Sequence, residues 1–292
     1  MIERFLDYLR FERRFSNHTV IAYRNDLNQL RQFVQADNPD SELTSLTAPE
    51  IRVWLVKLME DGLDARSVNR KITALKTFYK FALKSHLIQL NPMLKVVSPK
   101  VSKKLPVYVE ADRLDLLLDK VEFPQNFEGV RDHLILELLY GTGMRRSELL
   151  ELKIDDIDFR LGQIKVTGKR NKQRIIPLFD ALSEALQSYL KIRQSQVTDH
   201  LFLLCDEKGS RLYPEKIYRI VKKYLSMVST QSKRSPHTLR HSFATEMLNK
   251  GADLNSIKEI LGHANLSATQ VYTHNSIEKL RAIYKKAHPR GD

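Results

Sequence analysis

The chain has 292 residues, 42% of them apolar, enough for one large or two ordinary domains with buried cores. It has no run of the roughly 18 apolar residues that a membrane span needs; Glu3 and Asp7 interrupt the apolar start, unlike a signal peptide, and a single cysteine, Cys205, excludes an intramolecular disulfide or a Cys-rich zinc site. A cytoplasmic protein without membrane association is expected, and a net charge of +13, from 48 Lys and Arg against 35 Asp and Glu, favours a polyanionic partner.

Residues 1–95 read as four amphipathic helices. Ile2, Phe5, Leu6 and Leu9 keep one helical stripe, and Tyr23, Leu27, Leu30 and Val34 keep another. Thr47-Ala48-Pro49-Glu50 is a capping box with an early proline, and the helix it starts is expected to end near Gly62. The fourth helix, about Ala65 to Lys84, turns Val68, Ile72, Leu75, Tyr79 and Ala82 inward. Its other side carries Arg66, Asn69, Arg70, Thr73, Lys76, Thr77, Lys80 and Lys84, with five cations and no acid. That face is either simply solvated or laid against DNA phosphates. After Asn91-Pro92, residues 96–106 hold two prolines, three lysines (Lys103 and Lys104 among them) and no acid, and read as a basic linker that could track DNA.

Residues 107–292 form a second domain, mostly helical with one strand-rich insert. Asp132 to Tyr140 is apolar and helical, and Gly141-Thr142-Gly143 is expected to break it. Short runs then follow at Ile157 to Phe159, Ile164 to Thr167 and Arg174 to Leu178, joined by Arg160-Leu161-Gly162 and by Gly168-Lys169-Arg170-Asn171-Lys172, which look like antiparallel turns. Helices resume near Asp180. The pattern predicts a mainly α chain with a small antiparallel β-sheet in an α+β second domain. Cys205, closing Leu201-Phe202-Leu203-Leu204, is expected to be a small buried hydrophobe.

Four local patterns in this domain could carry chemistry. In Gly141-Thr142-Gly143-Met144-Arg145-Arg146-Ser147-Glu148-Leu149, Arg145 starts a helix, where the positive end of the dipole disfavours a cation unless an anion is to be held; pairing with Glu148 or Glu151 is the alternative. Lys169 sits at a hairpin tip in a stretch, Lys165 to Arg174, of five cations and no acid. It could place an ammonium in a groove, or be an exposed solubilising turn. Ser235-Pro236 starts a third helix that puts His237 and Arg240 on one face and Leu239 and Phe243 toward the core. An imidazole beside a guanidinium at a helix start suits a phosphate, although a structural pair reads from the same residues. Finally, Gly262 closes a helix holding Ile257, Ile260 and Leu261, and Ser267 with Gln270 caps a short helix that carries Tyr272. Such a tyrosine ordinarily packs by its ring.

Taken together, two arginines, a lysine, two histidines and a tyrosine fit phosphoryl transfer at a DNA phosphodiester without a metal ion or other cofactor. A phenol with a pKa of about 10 needs cations or a base to attack. Arginines can fork onto the non-bridging oxygens, and lysine or histidine can move the proton. This constellation resembles the tyrosine recombinase (lambda integrase) family, and closely its Xer type, over essentially the whole chain. The motifs are Thr142-Gly143-Met144-Arg145 with Ser147-Glu148-Leu149, Gly168-Lys169, His237-Thr238-Leu239-Arg240-His241-Ser242-Phe243-Ala244-Thr245, and Leu261-Gly262-His263 with Tyr272-Thr273-His274.

The resemblance implies Arg145 and Arg240 as a phosphate clamp, Lys169 as general acid, His237 as acid/base, His263 as a transition-state hydrogen-bond donor, and Tyr272 as the nucleophile that forms a 3′-phosphotyrosine. It implies a SAM-like core-binding domain over residues 1–95 and a catalytic domain over 107–292, together a C-shaped clamp on duplex DNA. It also implies a homo- or hetero-tetramer on a specific recombination site, strand exchange through a Holliday junction, and coupling of protomers through a C-terminal helix, 276–288, with Ile277, Leu280, Ile283, Tyr284 and Ala287. A tail folded on its own domain is the alternative. A paralogous recombinase and an FtsK-type DNA translocase are further partners the family brings. Arg146, where an apolar or small residue is commoner, and Arg170, in place of a frequent glycine, add charge near the DNA together with Lys172. No arm-binding domain is seen ahead of the first helix and no long insertion in the second domain, so chromosome dimer resolution is expected ahead of a mobile-element integrase, a type IB topoisomerase, or a DNA-binding protein without catalysis.

Overall fold

The computed structural model describes residues 1–101, 107–168, 171–197, 201–231, 233–262, 282–284 and 286–290. The chain divides into two compact units, Met1–Lys104 and Leu105–Asp292.

In the first unit, α1 (Ile2–Asp7) runs into a π-helical turn, Tyr8–Glu12, and is followed by α2 (Asn17–Asp37), α3 (Ala48–Glu60) and α4 (Ala65–Lys84). Local chemistry sets these boundaries. Glu50 accepts from the Thr47 backbone N–H at 2.7 Å at the start of α3. Asp64 caps α4 by accepting from the amides of Arg66 (2.9 Å) and Ser67 (3.0 Å), satisfying donors that a helix start leaves free. Phe5, Leu9, Leu27, Ile51, Trp54, Leu75, Phe78 and Tyr79 close one core. The five positions expected to face inward on α4 are all buried. Lys71 joins them on that side: it is 5% exposed and bonds Asp26 at 2.8 Å. A 3-10 turn, Pro92–Lys95, follows; Val96 is buried and Pro99 O accepts from Asn69 at 2.9 Å, so residues just past the turn pack on this unit.

The second unit contains α5 (Ala111–Asp119), α6 (Phe127–Thr142) and α7 (Arg146–Glu151), then strands β1 (Ile157–Asp158), β2 (Gln163–Thr167) and β3 (Gln173–Pro177). Helices α8 (Asp180–Gln196), α9 (Pro214–Val228), α10 (Pro236–Asn249) and α11 (Leu254–Leu261) follow. The strands form an antiparallel sheet in the order β1-β2-β3. Ile164, Val166 and Ile176 are buried on one face. Apolar α6 lies between α8 and α10, and Cys205 is fully buried as expected.

The helix ends within Gly141-Thr142-Gly143 as expected, but at the end of that tripeptide, since α6 runs through Gly141 to Thr142. Gly141 is required inside the helix because a Cβ there would lie 2.4 Å from the Phe179 ring. Only Gly143, at φ +60°, turns the chain.

The described part of the C-terminal tail packs on its own unit. The Tyr284 hydroxyl donates to Gly141 O, and His288 Nε2 lies 2.5 Å from the same oxygen. Arg290 reaches Asp119 and Glu137, each at 2.9 Å. Residues 276–281 of the expected C-terminal helix lie outside the described residues. Among the described residues, no helix is long and apolar enough to cross a membrane.

Candidate active site and nucleic-acid interface

The C-terminus of α11 leaves backbone carbonyls without helical partners, at the negative end of its dipole. Three consecutive carbonyls there each accept from a different arginine. Ile260 O takes Arg174 Nε at 2.6 Å, Leu261 O takes Arg240 Nη2 at 2.7 Å, and Gly262 O takes Arg145 Nη2 at 3.2 Å. Gly262 makes this possible by ending α11 in the left-handed region, at φ +66°. Arg240 also donates to Gly143 O at 2.5 Å, so the turn after α6 and the end of α11 are tied together by one guanidinium.

Arg145 stands at the cap position of α7, and Glu148 accepts from its backbone N–H at 2.8 Å and from its Nη1 at 2.7 Å. The pairing with Glu148 that the sequence left open is therefore present, while Glu151 bonds Arg211 instead. Among these groups Glu148 is the one acid facing three arginines. Burial alone would raise its carboxyl, but hydrogen bonds and charge from Arg174, and then Arg145, hold it below the ordinary range. Arg240 is only 9% exposed. Its desolvation, then repulsion from Arg145, lowers its pKa to about 10. Like charges pressed together in a partly desolvated place are stabilised by an incoming anion.

His237, one turn before Arg240 on α10, faces the same cluster. Partial desolvation, then the charges of Arg146, Arg240 and Arg145, lowers its pKa below the ordinary 6.5. The imidazole is expected to titrate below 6.5 by NMR in the DNA-free chain, and its midpoint should rise in Arg146→Ala. A midpoint indifferent to that substitution would mean that Arg146 does not face it. Arg146 reaches Pro214 O at 3.4 Å, and Lys172 is exposed where β3 begins.

Arg145, His237, Arg240 and Arg146 are thus brought together. Lys169, Arg170, His263 and Tyr272 lie outside the described residues, as do Lys103, Lys104 and the capping pair Ser267 and Gln270. On the first unit, Arg66, Arg70, Thr73, Lys76 and Lys80 are exposed along α4, with Asn69 and Thr77 half-buried beside them. Arg70 engages Asp26 with both terminal nitrogens. Among the described residues, Arg66, Lys76 and Lys80 enter no ion pair.

Sequence reasoning missed Arg174. The available signal was strand alternation: Ile176 faces inward on β3, so the residue two before it does too, and a cation at such a position needs buried partners. Among the described residues, no group of three or more His, Cys, Asp or Glu suited to a metal ion occurs.

Family models match both units: the phage integrase N-terminal SAM-like domain over residues 2–86 and the phage integrase family over residues 108–279. Among similar curated proteins is tyrosine recombinase XerC of Pelotomaculum thermopropionicum, 40% identical across 99% of this chain and 98% of its own length. Tyrosine recombinase XerD of Staphylococcus haemolyticus is 38% identical across 99% of each. Among solved structures, the XerH site-specific recombinase bound to difH substrate aligns with a TM-score of 0.70 at 24% identity, across 97% of this chain and 94% of that one. A lambda integrase dimer bound to a core site aligns at 0.69 and 19% identity, across 93% and 98%. At those identities, the two structures speak for the fold.

Proposed function

Because the chain belongs to the tyrosine recombinase (phage integrase) family and is of the Xer type, we propose that Tyr272 is its nucleophile and that Arg145 and Arg240 clamp the DNA phosphate it attacks. As a site-specific recombinase of this type it cleaves and rejoins DNA. The observation that supports the clamp is the pair of guanidinium groups seated on adjacent carbonyls, Leu261 O and Gly262 O, with too little acid beside them to cancel their charge.

In this reading the phenol oxygen forms a bond to phosphorus as the bond to the 5′ oxygen breaks, leaving a 3′-phosphotyrosine and a free 5′ hydroxyl. The bond energy is kept in the phosphodiester to the enzyme, so rejoining needs no outside energy source. Arg145 and Arg240 fork onto the non-bridging oxygens and stabilise the charge that grows there. Lys169 protonates the departing 5′ oxygen. His237, whose pKa desolvation and then the neighbouring arginines lower in the DNA-free chain, is available to take or return a proton, and His263 donates a hydrogen bond to the transition state. Attack by the 5′ hydroxyl of another duplex reverses the step and exchanges strands through a Holliday junction.

The duplex is gripped by α4 through Arg66, Asn69, Arg70, Thr73, Lys76, Thr77 and Lys80, by Lys103 and Lys104, and by Arg146, Arg170 and Lys172 near the reacting phosphate. In this reading the protein also binds recombination sites and assembles on them, as XerH does on its difH substrate and lambda integrase does as a tetramer on a Holliday junction. In this reading the tetramer contains one or two kinds of protomer and is joined by the C-terminal helix 276–288. Transfer of that helix to a neighbour requires Tyr284 and His288 to leave Gly141 O. The cellular task is resolution of chromosome dimers in the cytoplasm, with a paralogous recombinase and an FtsK-type translocase as partners.

The test is to select a binding site from a randomised duplex pool, nick it to make a suicide substrate, trap the covalent complex and digest it. The DNA-bearing peptide should contain Tyr272 and release a 3′-phosphorylated strand. Attachment at any other residue, or through a 5′ phosphate, refutes the assignment.

A further inference from the structure

We infer that Arg174 is a positioning residue for Arg145, acting through Glu148; the inference rests on the clamp reading above. On the sheet, Arg174 pairs with Val166 across β2 and β3, and its side chain turns to the buried face. It is 4% exposed, and its three donor nitrogens are all engaged: Nη1 and Nη2 on the two Glu148 oxygens at 3.1 and 2.8 Å, and Nε on Ile260 O at 2.6 Å. Such a fork-on-fork pair fixes a carboxylate in plane and direction, which a lysine cannot do.

Two consequences follow for Arg145. Glu148 holds both the backbone N–H and Nη1 of Arg145, so the plane that Arg174 imposes on Glu148 sets where the Arg145 guanidinium points. The second consequence is electrostatic. Glu148 is 4% exposed and carries a full negative charge. With Arg174 neutralising that carboxylate, Arg145 keeps its charge for a phosphate. Without Arg174, Arg145 would be the remaining close counter-ion, and the carboxylate would draw its guanidinium inward and cancel it. Arg174 also ties β3 to Ile260, the carbonyl directly before the two that hold Arg240 and Arg145. Gly168, where β2 ends, lies beside the same pair: a Cβ there would lie 3.1 Å from Glu148 Oε1. One buried ion pair therefore joins three segments of the site.

The experiment is a double-mutant cycle with the full chain, on a nicked suicide duplex selected from the randomised pool by binding to wild type. Adduct formation is followed in single turnover at saturating protein, beside site affinity and thermal melting. Arg174→Met should slow the adduct about a hundredfold while site affinity stays within about threefold. Arg174→Lys, which restores charge without the fork, should recover part of that loss. In an Arg145→Lys background the further loss from Arg174→Met should shrink to about threefold or less, because the group being positioned is already impaired. A packing role alone would give the same loss in both backgrounds, and that result overturns the inference, as does a wild-type rate for Arg174→Met. Should Arg174→Met melt below the assay temperature, Arg174→Lys is carried through the same cycle, with equal loss in both backgrounds, or no loss, overturning it. If Arg145→Lys itself cleaves at the wild-type rate, the clamp reading fails first, a result distinct from failure at Arg174 alone.

Discussion

Arg240→Ala is expected to slow strand cleavage about a thousandfold or more at saturating DNA, while affinity for the site changes by no more than about threefold. The asymmetry follows from where this arginine sits. It is 9% exposed, and its terminal nitrogens are anchored on Gly143 O and Leu261 O, so its position is set before DNA arrives. A preset cation contributes most where negative charge grows during the reaction, and a thousandfold rate loss corresponds to about 4 kcal/mol of lost transition-state stabilisation. On the proposed DNA-binding reading, site affinity is by contrast spread over many exposed cations, such as Arg66, Lys76 and Lys80 on α4, each making a screened contribution. The measurement is adduct formation on the suicide duplex together with equilibrium binding and melting of the same preparation. If affinity falls as far as the rate does, Arg240 holds the ground state and is not a transition-state clamp.

Much of the fold could be read from the sequence because its signals are local. Helix α4 is amphipathic throughout, so its inward residues and its basic outer face follow from periodicity alone. Ser235 and Pro236 mark the start of α10, and the strand runs around Gly162 and Gly168 mark the three-stranded sheet. Near these marks, Arg145, His237 and Arg240, the residues proposed for the site, lie close enough to one another to shift each other's charge. What escaped was decided between segments distant in sequence. Gly141 looks like a helix breaker until the Phe179 ring is found where its side chain would be. Lys71 falls in neither the inward nor the outer set read from the period of α4, because its buried partner, Asp26, lies on a different helix. Arg174 looks like the last charge of a hairpin tip, because Glu148 and Ile260 come from two other parts of the chain. Each is a polar or conformational requirement satisfied only by tertiary contact, and period and propensity carry no information about partners.

The Asp26 carboxylate gives the second large expected effect, this time on stability. Asp26→Ala should destabilise the first unit by about 3–5 kcal/mol, the usual cost of leaving a buried charge without its partner. Asp26 is 1% exposed and binds Lys71 at 2.8 Å as well as both terminal nitrogens of Arg70. The two cations do not suffer equally. Arg70 is half exposed and can turn to water, whereas Lys71 is 5% exposed with its ammonium 5.8 Å from the Trp54 ring centre and would keep only the neutral Gln29 Oε1 as acceptor, so its charge would remain uncompensated in a low-dielectric place. Trp54 is the only tryptophan of the chain and is 2% exposed, so its fluorescence during urea unfolding of the full protein reports this unit. The midpoint should move to much lower urea in Asp26→Ala, and the double variant Asp26→Leu with Lys71→Met should recover most of the loss, since an apolar pair has no charge to solvate. A single variant as stable as wild type would show that Gln29 and water suffice for the Lys71 ammonium when Asp26 is gone. A double variant no better than the single would place the cost in packing and not in the orphaned ammonium.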